Sequence, residues 1–304
     1  MQKKYDLSNP VVIGGIGGSG TRVVAEIIAK LGVFIGDDLD SARDNLWFLL
    51  LFKRPRWYRK ARYDKNKVLT GLSLFSKSIS HKNITNWSEL KFLCHAVFEV
   101  AIFGHNYKGE GRGIWPFVRV WKMLATTPKL PPKLMGWGWK EPNTHIFIDY
   151  IAEYFNRVKY IYTIRHGLDM AFSKNQQQLY NWGPFFGLAE SQSLSEEPKA
   201  SLKYWLRTNR RVFEMGQKLG DNKFLVVKFE KLCSSPEAEI KKIVSFLNID
   251  PSAQNLKKAY SIPKRPKSLD RYQNHELDQF DDSDLAELKT YGYSIISHDS
   301  PNSR

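Results

Sequence analysis

One stretch of this 304-residue chain, Val11 to Gly32, limits the choice of fold more than any other. Val11-Val12-Ile13 is a β-branched run with no polar alternation, the pattern of a strand buried on both faces of a parallel sheet. Five of the next seven residues, Gly14 to Gly20, are glycine, which ends the strand and permits a tight turn with positive backbone angles. From Thr21 onward apolar residues recur at helical spacing (Val24, Ile27, Ile28, Leu31), and Gly32 is a stop. Strand, glycine loop and helix in that order make an anion site, because backbone N–H groups at a helix N-terminus point at whatever lies in the loop.

Three ligands fit such a loop. Gly15, Gly17 and Gly20 match the dinucleotide fingerprint G-x-G-x-x-G, with Asp37, Asp38 and Asp40 about where a ribose-binding carboxylate belongs. Gly15 and Gly20 also have nucleotide-triphosphatase spacing, but Thr21-Arg22 stands where Lys-Ser/Thr should follow, which argues against β/γ-phosphate chemistry. The third ligand is a 5′-phosphosulfate, cradled by the backbone at Gly17, Gly18 and Gly20, with Ser19, Thr21 and Arg22 adding donors and charge.

Downstream, Val158–Ile164 and Lys223–Phe229 read as strands. Asp169–Gln178, Leu202–Leu219 and the segment from Ser235-Pro236 to Leu247 read as helices, the last with Ser at the cap and Pro in the first turn. Residues 44–135 read as a mainly helical insertion, with a helix near Glu89–Phe103 and a basic, aromatic stretch at Lys53–Lys67. The alternation predicts an α/β chain: a P-loop-like three-layer fold with a central parallel sheet and a helical insertion. No linker divides the chain, so residues 1–304 are expected to form a single domain, with a flexible C-terminal tail after about residue 290.

Hydrophobic residues make up 42% of the chain, enough for a full core. The formal charge of +15 favours anionic ligands without choosing among nucleotides, polyanions and acidic lipid surfaces. Cys94 and Cys233 alone exclude a disulfide framework, argue against a cysteine zinc site, and are expected as buried thiols. No apolar signal region precedes the first strand, and the apolar run Leu46–Phe52 is too short to span a bilayer, so a cytoplasmic location is expected.

A second feature lies far from the loop. Arg165 directly follows the strand Val158–Ile164, and Ser173 stands eight residues later, expected two turns into a helix. An Arg at the carboxyl edge of a parallel sheet meets ligands there, and Arg with Ser can hold a terminal phosphate. Taken together, IGGIGGSGTR, TIRHGLDMAFS and LVVKFEKLCSSPEAEIKKIVSFLNI resemble, in order, the 5′-phosphosulfate loop, the 3′-phosphate motif and the later strand-helix unit of the sulfotransferases that use 3′-phosphoadenosine-5′-phosphosulfate (PAPS). Trp139-Lys140-Glu141-Pro142-Asn143-Thr144 is similar to the K-D/E-P segment of the sugar and protein-tyrosine members. Ser268-Leu269-Asp270-Arg271-Tyr272 is similar to a basic-aromatic segment near the nucleotide, which adds Arg271 to the expected PAPS ligands. Many members carry an Arg before the loop serine; this chain has Gly18, and Arg22 is the expected substitute.

The resemblance implies PAPS as co-substrate, PAP as product and no metal. Lys140 would lie near the transferring sulfuryl group. Asp38 is the first choice for the base that takes the acceptor proton, Asp44 the second, and His145 and Glu141 are alternatives. The acceptor is expected to be a small molecule or glycan hydroxyl, on a carbohydrate or glycolipid; Trp115, Trp121, Trp137, Trp139 and Trp182 either stack on sugar rings or fill the core. The rival readings are an NAD(P)-dependent oxidoreductase, a kinase and a non-enzymatic binder of anionic polymers through the Lys53–Lys67 stretch. No nucleic-acid partner is expected; peripheral contact with an anionic surface is compatible with the same stretch.

Overall fold

Among the described residues, five strands, β1 (Pro10–Gly15), β2 (Val33–Phe34), β3 (Gly136–Lys140), β4 (Lys159–Ile164) and β5 (Phe224–Lys228), make one parallel sheet in the order β2-β3-β1-β4-β5. This is a computed structural model that describes residues 8–80, 84, 86–125, 129–188 and 197–296. β1 lies in the middle, buried at all six positions, as a β-branched run with no polar face requires. It pairs with β3 on one side (Ile13 opposite Lys140) and with β4 on the other (Gly15 opposite Thr163).

Helices cover both faces. α1 (Thr21–Lys30) follows β1, and among the described residues between β2 and β3 stand α2 (Leu46–Phe52), α3 (Pro55–Ala61), α4 (Lys65–Ile79), α5 (Trp87–Phe103) and α6 (Trp115–Ala125). α7 (Ile148–Tyr154) joins β3 to β4, and α8 (Gly167–Ala171), α9 (Gln177–Trp182) and α10 (Glu197–Leu219) join β4 to β5. α11 (Phe229–Ser234), α12 (Pro236–Leu247), α13 (Ala253–Tyr260) and α14 (Asp282–Thr290) follow.

Strand alternation sorts the core into two layers. Val11, Ile13 and Ile161 point to the layer that holds Val24, Ile27 and Ile28 of α1 with Ile240 and Ile243 of α12. Val12, Tyr160 and Tyr162 point to the opposite layer, with α10 and the helical insertion. That second layer is strongly aromatic: Trp139 packs against Phe75 with ring centroids 4.9 Å apart and against Phe48 at 5.6 Å. The apolar run Leu46–Phe52 is α2 and is buried along its whole length, capped by Asn45, whose side chain accepts from Trp47 N at 3.2 Å and Phe48 N at 3.0 Å.

Several expectations change. β3, with the sequence GWGWK, carries no β-branched residue and is a strand because β1 and β2 pair with it. The helix expected over Asp169–Gln178 is two pieces: α8 stops at Ala171, and the Gln176 amide donates to the carbonyls of Met170, Ala171 and Ser173 at 2.9–3.0 Å. Ser173 therefore lies in the loop between α8 and α9, not inside a helix. Cys94 is exposed on α5 and Cys233 half-exposed on α11, so the expectation of two buried thiols fails. Both helices present other residues to the core, Phe92 and Leu93 on α5 and Phe229 and Leu232 on α11. Of the expected C-terminal tail, Tyr293 is buried and the Ser294 carbonyl accepts from Tyr272 Oη at 3.4 Å; residues 297–304 lie outside the described residues.

The glycine loop makes a direct prediction. Gly20, the N-cap of α1, has φ 95°, and a Cβ there would stand 2.1 Å from the Phe229 ring. Gly20→Ala combines a left-handed backbone with overpacking and is expected to lower stability by about 2–4 kcal/mol, read from urea unfolding.

Candidate active site

The carboxyl ends of β1, β3 and β4 lie side by side, so the residues that follow them open onto one cavity of about 600 Å³. β1 contributes Gly17, Gly18 and Gly20 with Thr21 and Arg22 of α1; β3 contributes Lys140 and Glu141; β4 contributes Arg165. This edge is where ligands bind in open parallel sheets, since the chain crosses over there and leaves a crevice. α1 has no side-chain cap, so its first N–H groups are left for a ligand. Ser19 is buried, and its Oγ has no hydrogen-bond partner within the protein. An orphaned hydroxyl and an uncapped helix start in one loop fit an anionic group.

Lys140 is 2% exposed, an unusual place for an ammonium group. It is held by an ion pair with Asp44 and a 3.0 Å bond to the Ala42 carbonyl. The loop that supplies Asp44 is fixed by its own hydrogen bonds: Asp40 Oδ1 accepts from Ala42 N and Asp44 N, both at 2.8 Å. Asn45 N then donates to the Lys140 carbonyl at 2.8 Å, so backbone and side chain of Lys140 are gripped by neighbouring residues of one loop. Burial raises the Asp44 carboxyl above its ordinary value against the opposing pull of Lys140. Glu141, fully buried, is pushed up to about 7 by burial and then by the charge of Asp44; its oxygens accept from Asn143 N at 2.7 Å and Asn143 Nδ2 at 2.6 Å.

Arg165 is buried and lines the cavity. Asp169, one helical turn on and completely buried, accepts from Arg165 Nη2 at 2.8 Å. The same carboxylate accepts from Asp270 N at 2.9 Å and Tyr272 N at 3.3 Å, and Arg165 Nη1 donates to Ser268 Oγ at 3.3 Å. Asp169 thus joins the 268–272 segment to the end of β4, and Lys264, Arg265 and Ser268 complete that wall.

Of the residues singled out from sequence, the fold brings Gly17, Gly18, Gly20, Thr21, Arg22, Asp44, Lys140, Glu141 and Arg165 to this cavity. Ser19 lies in the same loop, between two lining glycines, while Asp38, His145, Ser173 and Arg271 stand apart from the cavity walls. Asp38 accepts from Arg119 Nη1 and Lys122 Nζ, both at 2.9 Å, and so ties α6 to the sheet edge. His145 is completely buried, hydrogen-bonded to the Pro142 carbonyl at 2.8 Å and to Tyr204 Oη at 3.3 Å, and burial depresses its imidazole to about 4. Ser173 Oγ accepts from Asn175 N at 3.2 Å, and Arg271 Nε donates to the Ser268 carbonyl at 3.0 Å. Trp137, Trp139 and Trp182 are core residues, and none of the five tryptophans proposed for sugar stacking lines the cavity.

Two cavity residues were not legible as such. Lys53 belongs to the basic stretch, but it is buried and donates to Gln177 Oε1 at 2.8 Å. Gln178 is buried beside Gly17, and neither of its amide atoms has a protein partner. No motif marks either residue; the folding of the insertion against α9 puts them there.

The model of a family described as the sulfotransferase family matches residues 10–253. A search of curated protein sequences finds no significant match. The sulfotransferase domain of the Synechococcus PCC 7002 olefin synthase superposes with a TM-score of 0.50 at 15% identity, over 97% of this chain and 98% of that one. A sulfotransferase from Mycobacterium avium gives 0.49 at 12% identity over 95% and 77%. Retinol dehydratase solved with androsterone and the inactive cofactor PAP gives 0.35 at 12% identity over 94% and 71%.

The buried carboxyl group makes stability depend on pH. Unfolded, Glu141 loses its proton at its ordinary value of 4.5; folded, it keeps the proton to about 7. Its contribution therefore favours the folded chain at low pH and is lost as pH rises through that window. Glu141→Gln lacks a titrating group, so its stability relative to the parent is expected to rise by about 2 kcal/mol between pH 5 and pH 8. Urea unfolding of both proteins at the two pH values measures this; parallel behaviour would show that Glu141 titrates normally.

Proposed function

Because this chain belongs to the sulfotransferase family, we propose that it moves a sulfuryl group from PAPS to an acceptor hydroxyl in the cavity above β1, β3 and β4. The observation that carries the reading is the convergence of the glycine loop, Lys140 and Arg165 on one cavity. The loop and the start of α1 suit the 5′-phosphosulfate, with Ser19, Thr21 and Arg22 as donors. Arg165, with Ser268 beside it and Lys264 and Arg265 nearby, suits the 3′-phosphate through charge-assisted hydrogen bonds. Family membership displaces the oxidoreductase, kinase and polymer-binding readings.

Sulfuryl transfer resembles phosphoryl transfer: the acceptor oxygen bonds to sulfur as the bond from sulfur to the 5′-phosphate oxygen breaks, and negative charge grows on that departing oxygen. The acceptor proton needs a base within hydrogen-bond reach. Asp44 suits that role better than Asp38, because Asp44 lines the cavity and Asp38 is engaged by two cations outside it. Its raised pKa brings it closer to neutral pH, where a base is most effective. Once Asp44 takes the proton, its hold on Lys140 weakens, and the ammonium is free to follow charge onto the departing oxygen. The two halves of the ion pair thus serve the two ends of one displacement.

A polyhydroxylated acceptor, a carbohydrate or glycolipid head group, is the acceptor class we favour. Its support is no longer aromatic stacking but the Gln178 amide, which offers an unpaired donor and acceptor on the cavity wall.

Two experiments test these assignments. PAP at one hundred times its Kd is expected to add about 2.7 kcal/mol to stability, with no comparable gain from NADP or ATP. Arg165→Ala should remove most of that gain yet leave an analogue lacking the 3′-phosphate unaffected; stabilisation by NADP alone would overturn the PAPS reading. With labelled PAPS and a panel of sugars, glycolipids and phenols, Lys140→Ala and Asp44→Asn should each lower kcat about 100-fold or more while PAP affinity stays within about threefold. Asp38→Asn should retain kcat. Transfer to phenols alone would refute the carbohydrate acceptor.

A further inference from the structure

The helical insertion leaves an apolar face uncovered. Among the described residues, ten of the thirteen large hydrophobic side chains that are exposed fall between residues 87 and 124. Trp87, Phe98 and Ile102 stand out from α5, and Phe117, Trp121 and Leu124 from α6, where they recur at i, i+4 and i+7. The Phe98 and Phe117 rings meet edge to face at 6.4 Å, so the two helices present one continuous surface. α6 buries only Pro116 and Met123 of its eleven residues, which is the reverse of a helix whose apolar stripe is spent on its own core. Beside it lies a groove of about 880 Å³ with an apolar floor that includes Trp57, Phe92, Phe98 and Ile102.

The charge around this face is mainly positive: Arg56, Lys60, Lys67 and Lys91 line the groove against Asp64 and Glu99. The surrounding insertion is basic as a whole, residues 53–125 carrying fifteen Lys and Arg against four Asp and Glu, some of these cations turned into the active cavity or the core. The two acids in the groove are already engaged, Glu99 by Arg54 at 2.8 Å and Asp64 by Lys67 at 3.1 Å. Arg56 and Lys91 lie over the rings of Phe103 at 4.3 Å and Trp87 at 5.4 Å, with stems along apolar surface and charges at the rim. Aromatic and aliphatic side chains within a basic rim are what the headgroup region of an anionic bilayer accepts: rings at the acyl boundary, cations at the phosphates. A second copy of the chain would set one basic rim against another, which like-charge repulsion opposes. No described helix is long and apolar enough to cross a membrane, so the contact is one of lying on the surface.

We propose that the α5–α6 face and its groove dock this enzyme on an anionic lipid bilayer. The inference rests on the surface alone and stands apart from the choice of donor nucleotide. The test is co-sedimentation of the full chain with phosphatidylcholine vesicles containing about one third phosphatidylserine, and with phosphatidylcholine vesicles alone. Binding is expected to the first only, and to weaken on raising NaCl from about 0.1 to about 0.5 M. The variant Phe98→Glu/Trp121→Glu alters two exposed positions, so urea unfolding should be unchanged while vesicle affinity falls about tenfold or more. Absence of binding to the anionic vesicles, or equal binding by the double variant, would overturn the proposal. So would equilibrium sedimentation showing a dimer for the parent and a monomer for the double variant without any vesicle binding, since the face would then be a subunit interface.

Discussion

The hydrogen bonding of β1 to two parallel neighbours is the constraint on which the rest of the molecule depends. Val12 lies opposite Trp139 on one side and opposite Tyr160 on the other. Because all three strands run the same way, their carboxyl ends arrive at one edge together. The glycine loop, Lys140 and Arg165 are spread over roughly half the chain, and this pairing alone makes them neighbours. A parallel sheet is stable only if both faces are covered. The aliphatic layer with α1 and α12 and the aromatic layer under the insertion are therefore conditions for the site, not additions to it.

The most demanding part of that site is a charge taken out of water. A buried Lys ammonium is tolerated only when paired and hydrogen-bonded, because its desolvation is expensive. Here the partner is supplied by a loop whose geometry is over-determined. Asp40 organises the turn, the backbone of Asn45 is bonded to Lys140, and the side chain of Asn45 caps α2. The apolar run of α2 then anchors that cap in the core. So a stretch that looks like mere hydrophobic filler, Leu46–Phe52, is what holds Asp44 against Lys140. In the low dielectric of the site, Lys140 pulls the Asp44 carboxyl down against the effect of burial, and burial with the charge of Asp44 raises Glu141 behind them.

The insertion serves two surfaces with different chemistry. Lys53 turns into the active cavity. Arg54, next to it, is buried in an ion pair with Glu99, and burial lowers its guanidinium to about 10. α5 and α6 then carry their remaining aromatic residues outward. The basic stretch is thus not one solvated face: its cations divide among cavity, core and rim according to where each helix turns.

The sequence by itself determined what is local. Strand, glycine turn and helix at Val11–Gly32 follow from β-branching, from the conformational freedom of glycine and from 3.6-residue periodicity. All three act within a few residues of one another. Arg165 was legible for the same reason, as a cation directly after an unmistakable strand, and the order of three motifs pointed to the family. Tertiary structure decided what depends on pairing between distant segments. β3 is five residues long with two glycines and no β-branched residue, a weak local signal, and it is held as a strand by β1 and β2 on either side. Asp44 and not Asp38 meets Lys140, because a loop bonded to β3 carries one there, while α6 captures the other with Arg119 and Lys122. Ser173 left the cavity wall because Gln176 intercepts the last carbonyls of α8. In each case residues of one type, in one stretch of sequence, differ only in which distant partner reaches them, and no local rule of propensity or spacing encodes that.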